Sequence, residues 1–277
     1  MAKAQGIIGN FKGKIGNTVG YQLTSSNNKQ TQGIRIYQPN VKNPKTSAQA
    51  EQRAKLAPIN ATYRALKMII DRGNEGLPYG NKSRLAWLKQ AFKADAMPWF
   101  VKGAVANMPV ACQLTKGSLP AIPFAVSDEG LSVNCPVYQE GQSAGTIGGL
   151  STILKANFPF LQDGDQITFV VVGKDHESLM VHVMSYVIDT TSAETTSHLE
   201  FDGGTLDLIQ GTFGGFGTII ISREGANGEH LRSTSALQAD SSIIEAAPYD
   251  AASKTAAIES YMASGAANTD WAEESIQ

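Results

Sequence analysis

The chain has 277 residues, 42% hydrophobic and 17% charged, enough to bury a sizeable core in one or two domains. No run approaches the ~20 apolar residues of a membrane span, and Gly and Lys interrupt residues 1–20 every few positions. These features argue against a membrane or secreted protein and lead us to expect a cytoplasmic or virion location. The net charge of −2 hides an asymmetry: residues 1–93 hold 16 Lys and Arg against Glu51, Asp71 and Glu75, whereas the remainder holds seven against 22 acids.

In chain order, residues 1–20 place Gly at 6, 9, 13, 16 and 20. Small residues at this spacing could make a close-packing helix face, but each Gly costs about 1 kcal/mol against Ala in a helix, so an extended or looped arm is expected. Residues 19–38 then read as a hairpin. Val19, Tyr21 and Leu23 alternate, the polar run 25–28 supplies turn chemistry, and Ile34, Ile36 and Tyr37 continue the return strand. Thr46 with Gln49 three residues on matches a capping box and opens a helix to about Ile70. Leu56, Ile59, Tyr63, Leu66 and Ile70 form its apolar face, and Pro58 is expected to kink or split it. A second helix, from Lys82 to about Ala96, carries Leu85, Leu88 and Phe92 on one face with Trp87 close by, and the two are expected to pack as a helical hairpin.

From Val105 the apolar period changes to two. Leu131, Val133, Cys135 and Val137 alternate, and 167–172 and 179–188 are apolar strands. Strands at 206–209, 218–222 and 230–237 follow, with Asn227-Gly228 as a tight turn and a short helix within 147–158. Short strands separated by Gly, Asp and Ser turns point to an antiparallel β-sandwich. After Asp240 the composition shifts to Ala and Ser. Residues 249–263 read as a weak helix and 268–277 as an acidic tail, with a flexible, solvated end expected. The fold class expected is α+β: a basic arm and β-hairpin over 1–45, a helical hairpin over 46–104, a sandwich over 105–240 and an acidic tail over 241–277.

Several strings in this layout resemble a known family. They are Gly9-x-Phe11-x-Gly13-Lys14-x-Gly16-x-x-Val19-Gly20, then Ile34-Arg35, and Asn43-Pro44-x-Thr46-x-x-Gln49-x-x-x-Arg53. Together they are similar to an uncharacterised family found in Bacteroidetes and in phages of those bacteria. Residues 114–120 (LTKGSLP), and 222–224 (SRE) with 231–233 (LRS), resemble two further stretches of its β domain. The resemblance covers the first ~56 residues and patches of the β domain. It implies a phage-linked source and this layout, and carries no activity with it. The polar stretch at 24–32 and the acidic tail depart from the family.

No cofactor, metal or small-molecule substrate is suggested. Gly9 to Ile15 has three residues between its glycines where a phosphate loop needs four, and Ile15 stands where Ser or Thr should hold magnesium. The Gly-rich run 211–217 leads into a strand, not a helix. His176, His182, His198 and His230 show no metal-ligand spacing. His182 reads as a core or sheet-face residue, 174–177 as a solvated turn, and Asp163 and Asp165 as a turn around Gly164. Cys112 and Cys135 are too few for a disulfide framework or a zinc site and read as buried free thiols. Arg223 and Arg232 lie on paired strands, either as a second basic spot or bridging Glu224 or Glu229.

The candidate binding residues are therefore the bases Lys3, Lys12, Lys14, Lys29, Arg35, Lys42, Lys45 and Arg53, with Phe11, Tyr21 and Tyr37 among them. Basic residues interleaved with aromatics suit single-stranded nucleic acid, whereas Tyr21 and Tyr37 as a cross-strand pair would merely hold the hairpin. Two functions are expected: a non-enzymatic structural or assembly protein, phage- or virion-associated, whose arm contacts nucleic acid or neighbouring subunits; or a single-stranded nucleic-acid-binding protein without sequence specificity.

Overall fold

The computed structural model describes residues 13–24, 30–37, 46–94, 96–127, 130–137, 141–174, 179–202, 204–209, 215–226 and 228–263. The chain divides into two compact units, 1–45 and 46–277. The whole is a mixed α+β fold with several antiparallel sheets and helices.

The first unit is a three-stranded antiparallel sheet of β1 (Gly13–Ile15), β2 (Thr18–Thr24) and β3 (Gln30–Ile36), in that order. The hairpin expected over 19–38 is present, although its polar turn at 25–28 lies outside the described residues. Of the extended or looped arm expected over 1–20, the described residues from Gly13 on are extended and paired as β1 and the start of β2, while 1–12 lie outside the described residues. A two-residue turn, Gly16-Asn17, folds β1 onto β2, with Gly16 at φ 55°, a value glycine adopts without penalty.

The second unit begins with α1 (Ser47–Ala65), whose Thr46 cap accepts the Gln49 N–H at 3.3 Å, one half of the expected capping box; the Gln49 Oε1 does not complete it. Pro58 does not split this helix. It is buried within an unbroken α1, and the break falls at Leu66 (φ −103°, ψ 19°), before the short α2 (Lys67–Ile70). Thr62, one turn beyond the proline, donates its hydroxyl to the Pro58 carbonyl at 2.9 Å and accepts the Val110 N–H at 2.9 Å. The next helix, α3 (Asn81–Ala91), buries Ser83, Trp87 and Ala91 rather than Leu85, which is exposed; Leu88 and Phe92 pack at the margin. Its main neighbours are α2 and β4 (Gln113–Thr115), whereas α1 packs on the C-terminal helix α6 (Ala251–Ala263). The two helical segments expected to pack together do meet, with the Tyr63 and Trp87 rings 6.1 Å apart and the Ser83 hydroxyl donating to the Ile70 carbonyl at 2.7 Å, but through Ser83 and Trp87 rather than Leu85. The helix expected over 249–263 is present as α6, with Ala257 fully buried, so the Ala/Ser-rich stretch is folded as far as residue 263; the acidic tail expected at 268–277 lies outside the described residues.

One sheet runs β5 (Ala125–Val126), β6 (Gly130–Asn134), β10 (Thr205–Ile209) and β9 (Leu199–Asp202). A larger one runs β12 (His230–Arg232), β11 (Phe216–Glu224), β7 (Gln166–Lys174) and β8 (Leu179–Val187). The stretch expected as one strand over 230–237 is divided: after β12 come β13 (Ser235–Ala236), which pairs with β4, and β14 (Gln238–Ala239), which pairs with β11. A short α5 (Ser241–Ile244) follows.

Two apolar clusters share the larger sheet. On one side Ile167, Phe169, Val171, Ile219 and Ile221 meet Leu131, Val133, Leu206 and Leu208 of the smaller sheet. Leu150, Ile153 and Leu154 of α4 (Ile147–Asn157) are lodged among them. On the other side Val170, Val172, Phe216 and Ile220 meet Ile59, Leu66, Ile70, Trp87 and Ala257. β7 and β11 are therefore buried on both faces, which explains their near-continuous apolar sequence. No described helix is long and apolar enough to cross a membrane.

Candidate partner-binding surface

Register assigns the two faces of the first sheet. Lys14 lies opposite Val19, and Val19 opposite Arg35; Tyr21 lies opposite Gly33. Since paired residues point to the same side and side chains alternate, Lys14, Val19, Tyr21, Arg35 and Tyr37 share one face. Ile15, Thr18, Gly20, Ile34 and Ile36 share the other. The Lys14 ammonium sits 3.6 Å from the centre of the Tyr37 ring. At an exposed site such a contact contributes about 0.5–1 kcal/mol and leaves the charge accessible. Tyr21 does not pair with Tyr37. Its ring lies over Gly33, where a Cβ would come within 2.4 Å of Cζ, so that glycine makes room for the aromatic.

Four of the sequence-predicted binding residues, Lys14, Tyr21, Arg35 and Tyr37, are thus gathered on one sheet face. Lys3, Phe11, Lys12, Lys29, Lys42 and Lys45 lie outside the described residues, and Arg53 is an exposed residue of α1 in the other unit. Residues 1–50 contain no Asp or Glu, so the face has no carboxylate of its own unit to neutralise it.

The basic excess persists through residues 46–93, because the three acids there are already engaged. Glu51 lies 3.2 Å from both Lys55 and Lys254, and Lys55 is the main cause that holds its carboxyl below the usual range. Asp71 is held low chiefly by Lys67, with which it pairs, and also accepts the Tyr63 hydroxyl at 2.9 Å. Glu75 accepts the Ser118 N–H at 2.9 Å, the Arg232 N–H at 3.1 Å and the Ser118 hydroxyl at 2.9 Å. Burial would raise its pKa, but these donors outweigh burial and keep it lowered. Within the second unit, the ion pairs among the described residues join no acid from 94–277 to a base from 46–93, and Arg53, Arg64, Lys82 and Lys89 are exposed.

Sequence reasoning missed the role of Glu75. It ties the loop before α3 to residues 43 and 157 positions away, a link no local pattern encodes. The signal available was a lone acid before Gly76 in a basic stretch. The three strings at 114–120, 222–224 and 231–233 meet around it. The Leu119 N–H reaches the Arg232 carbonyl at 2.9 Å, and the Thr115 hydroxyl donates to the Ser233 carbonyl at 2.8 Å. Arg232 donates to the Ser222 hydroxyl at 3.0 Å, and Arg223 pairs with Asp165; neither arginine bridges Glu224 or Glu229. These residues close the fold.

Elsewhere the chemistry is sparse. Cys112 and Cys135 are free and buried, as expected, and burial pushes their thiols up to about 12 and about 11, far from reactive thiolate. His182 is a half-buried residue of β8, facing Val171, and the His230 ring packs 5.8 Å from Tyr79. No group of three His, Cys, Asp or Glu among the described residues is arranged to hold a metal. His176 and the rest of the polar turn at 175–178 lie outside the described residues. No family, no curated protein and no solved structure matches this chain.

Proposed function

We propose that the chain is a non-enzymatic assembly protein whose basic N-terminal unit docks onto nucleic acid, with the 46–277 unit as its folded body. The observation that carries this reading is the one-sided sheet, on which Lys14, Arg35, Tyr21 and Tyr37 share a face free of carboxylates. Cations on such a face displace the counterions of a phosphate backbone, and the half-buried Tyr21 and Tyr37 rings beside them offer partial stacking platforms to unpaired bases. The arrangement has no means of reading base sequence, so binding is expected to be non-specific. The resemblance of the 9–53 strings to phage-linked proteins adds a virion setting. We read the two sheets around α4 as an open sandwich that acts as scaffold.

The opposite face supports a second contact. Ile15, Ile34 and Ile36 are 59%, 46% and 73% exposed on one face, with Thr18 and Gly20 of β2 between them, as a surface awaiting a neighbouring subunit would be.

Fluorescence anisotropy of a labelled single-stranded oligonucleotide tests the reading, at ~50 and ~200 mM salt. Binding that weakens about tenfold or more between the two supports it. No binding at the lower salt, or binding indifferent to salt, overturns it.

A further inference from the structure

We infer that β8 is a self-association edge, through which two copies of the chain join their larger sheets in antiparallel register. This goes beyond the nucleic-acid reading and rests on different residues.

The sheet ends of the 46–277 unit are not alike. β12 and β5 are three and two residues long, and the four-residue β9 carries Glu200 and Asp202. Short strands and edge charges protect a sheet from pairing with another chain. β8 has none of these features. It is nine residues long, LMVHVMSYV, with no Lys, Arg, Asp, Glu, Pro or Gly. Its register with β7 runs from Gln166↔Val187 to Lys174↔Leu179 without a bulge. It closes the β12-β11-β7-β8 order, so alternate N–H and C=O groups point outward, and among the described residues none meets a further backbone partner. Met180, Val183 and Val187 are 39%, 50% and 51% exposed along it.

The occupant is a second copy because the strand complements itself. Nine residues have a centre, Val183. A two-fold axis there sets Val183 against Val183, Leu179 against Val187, and Val181 against the small, uncharged Ser185, without opposing like charges. A strand bearing no carboxylate or ammonium gives a charged foreign partner nothing to select, yet imposes no repulsion on its own copy. The area gained by pairing one edge falls below the ~1,200–2,000 Å² of a stable interface, so a reversible dimer in roughly the micromolar range is expected.

The test uses the full chain, nuclease-treated, at ~0.5 M salt, where phosphate contacts are suppressed and strand pairing persists. Failure here is thereby separated from failure of nucleic-acid binding. Sedimentation velocity across a concentration series is expected to show monomer passing to dimer. Val183→Lys, and independently Val187→Lys, should weaken the dimer at least tenfold with the melting temperature unchanged. Under oxidation Val183→Cys should yield a covalent dimer, because its own counterpart faces it, and Val187→Cys should not. A wild type that stays monomeric, a dimer indifferent to both lysines, or cross-linking by Val187→Cys as readily as by Val183→Cys overturns the proposal.

Discussion

Arg223 grips Asp165 with two parallel hydrogen bonds, Nε to Oδ1 at 2.6 Å and Nη2 to Oδ2 at 2.7 Å, where the carboxylate is only 1% exposed. The same guanidinium donates to the Phe160 carbonyl at 2.8 Å, and Asp165 accepts the Gln162 N–H at 2.8 Å. The pair therefore pins the turn leading into β7 against β11. Removing one partner strands the other in a part-buried site, so Asp165→Ala is expected to cost about 3 kcal/mol, read by urea denaturation. A loss below about 0.5 kcal/mol would show that the pair merely decorates the turn.

Glu75 predicts an acid response. Its folded pKa lies below its unfolded value, so its contribution is fully present above the unfolded pKa, about 4.5, and is lost as pH falls through the folded value. Asp71 and Glu51 act in the same direction. Stability should fall with acid below about pH 4.5, and Glu75→Gln should shallow that slope while costing about 1–2 kcal/mol at neutral pH. Melting temperatures of both proteins across the acid range check this.

Gly117 lies where a Cβ would stand 2.1 Å from the Arg232 carbonyl oxygen and 2.7 Å from Glu75 Oε2. One contact is backbone and cannot swing away, so the chains must part. Gly117→Ala is expected to destabilise by about 1–3 kcal/mol in thermal or chemical unfolding.

Thr62 serves two buried backbone groups, the Pro58 carbonyl and the Val110 N–H. Thr62→Val keeps the shape and removes both bonds, which should cost about 1–3 kcal/mol in chemical denaturation. An unchanged midpoint would mean that neither group depends on the hydroxyl.

If phosphates contact the basic sheet face, removing two cations must lower the salt dependence of binding. Lys14→Ala with Arg35→Ala should reduce the slope of log affinity against log salt by about 1.4 for single-stranded ligands. An unchanged slope would place the contact elsewhere.

How much of this was legible depends on how far apart the determining residues stand. The apolar run 167–172 reads as a strand and proves buried on both faces, and the alternation of Leu131 and Val133 places their inner face correctly. Thr46 with Gln49 marks the start of α1 because a cap is local. Pro58 misled as a splitting point, since the hydrogen bond it cannot make to the Ala54 carbonyl is tolerated in a helix whose Ala54, Pro58 and Ile59 are buried. Leu85 misled because α3 was read alone, whereas the face that turns inward is set by β4 and by Trp87. At the candidate site the cations and rings were plain in the sequence. Their gathering on one face was not, because β1 is three residues long and too short to show a period.

The double burial of β7 and β11 ties the helices to the remote sheet. Each strand lends alternate side chains to opposite clusters, so neither cluster can melt while the other stands. Residues 46–263 are expected to open in one cooperative step, with the β7 and β11 amides the slowest to exchange their hydrogens. For the same reason the helical layer cannot be transplanted as a free-standing module: lifting it away would bare the back of the very sheet that the front depends on.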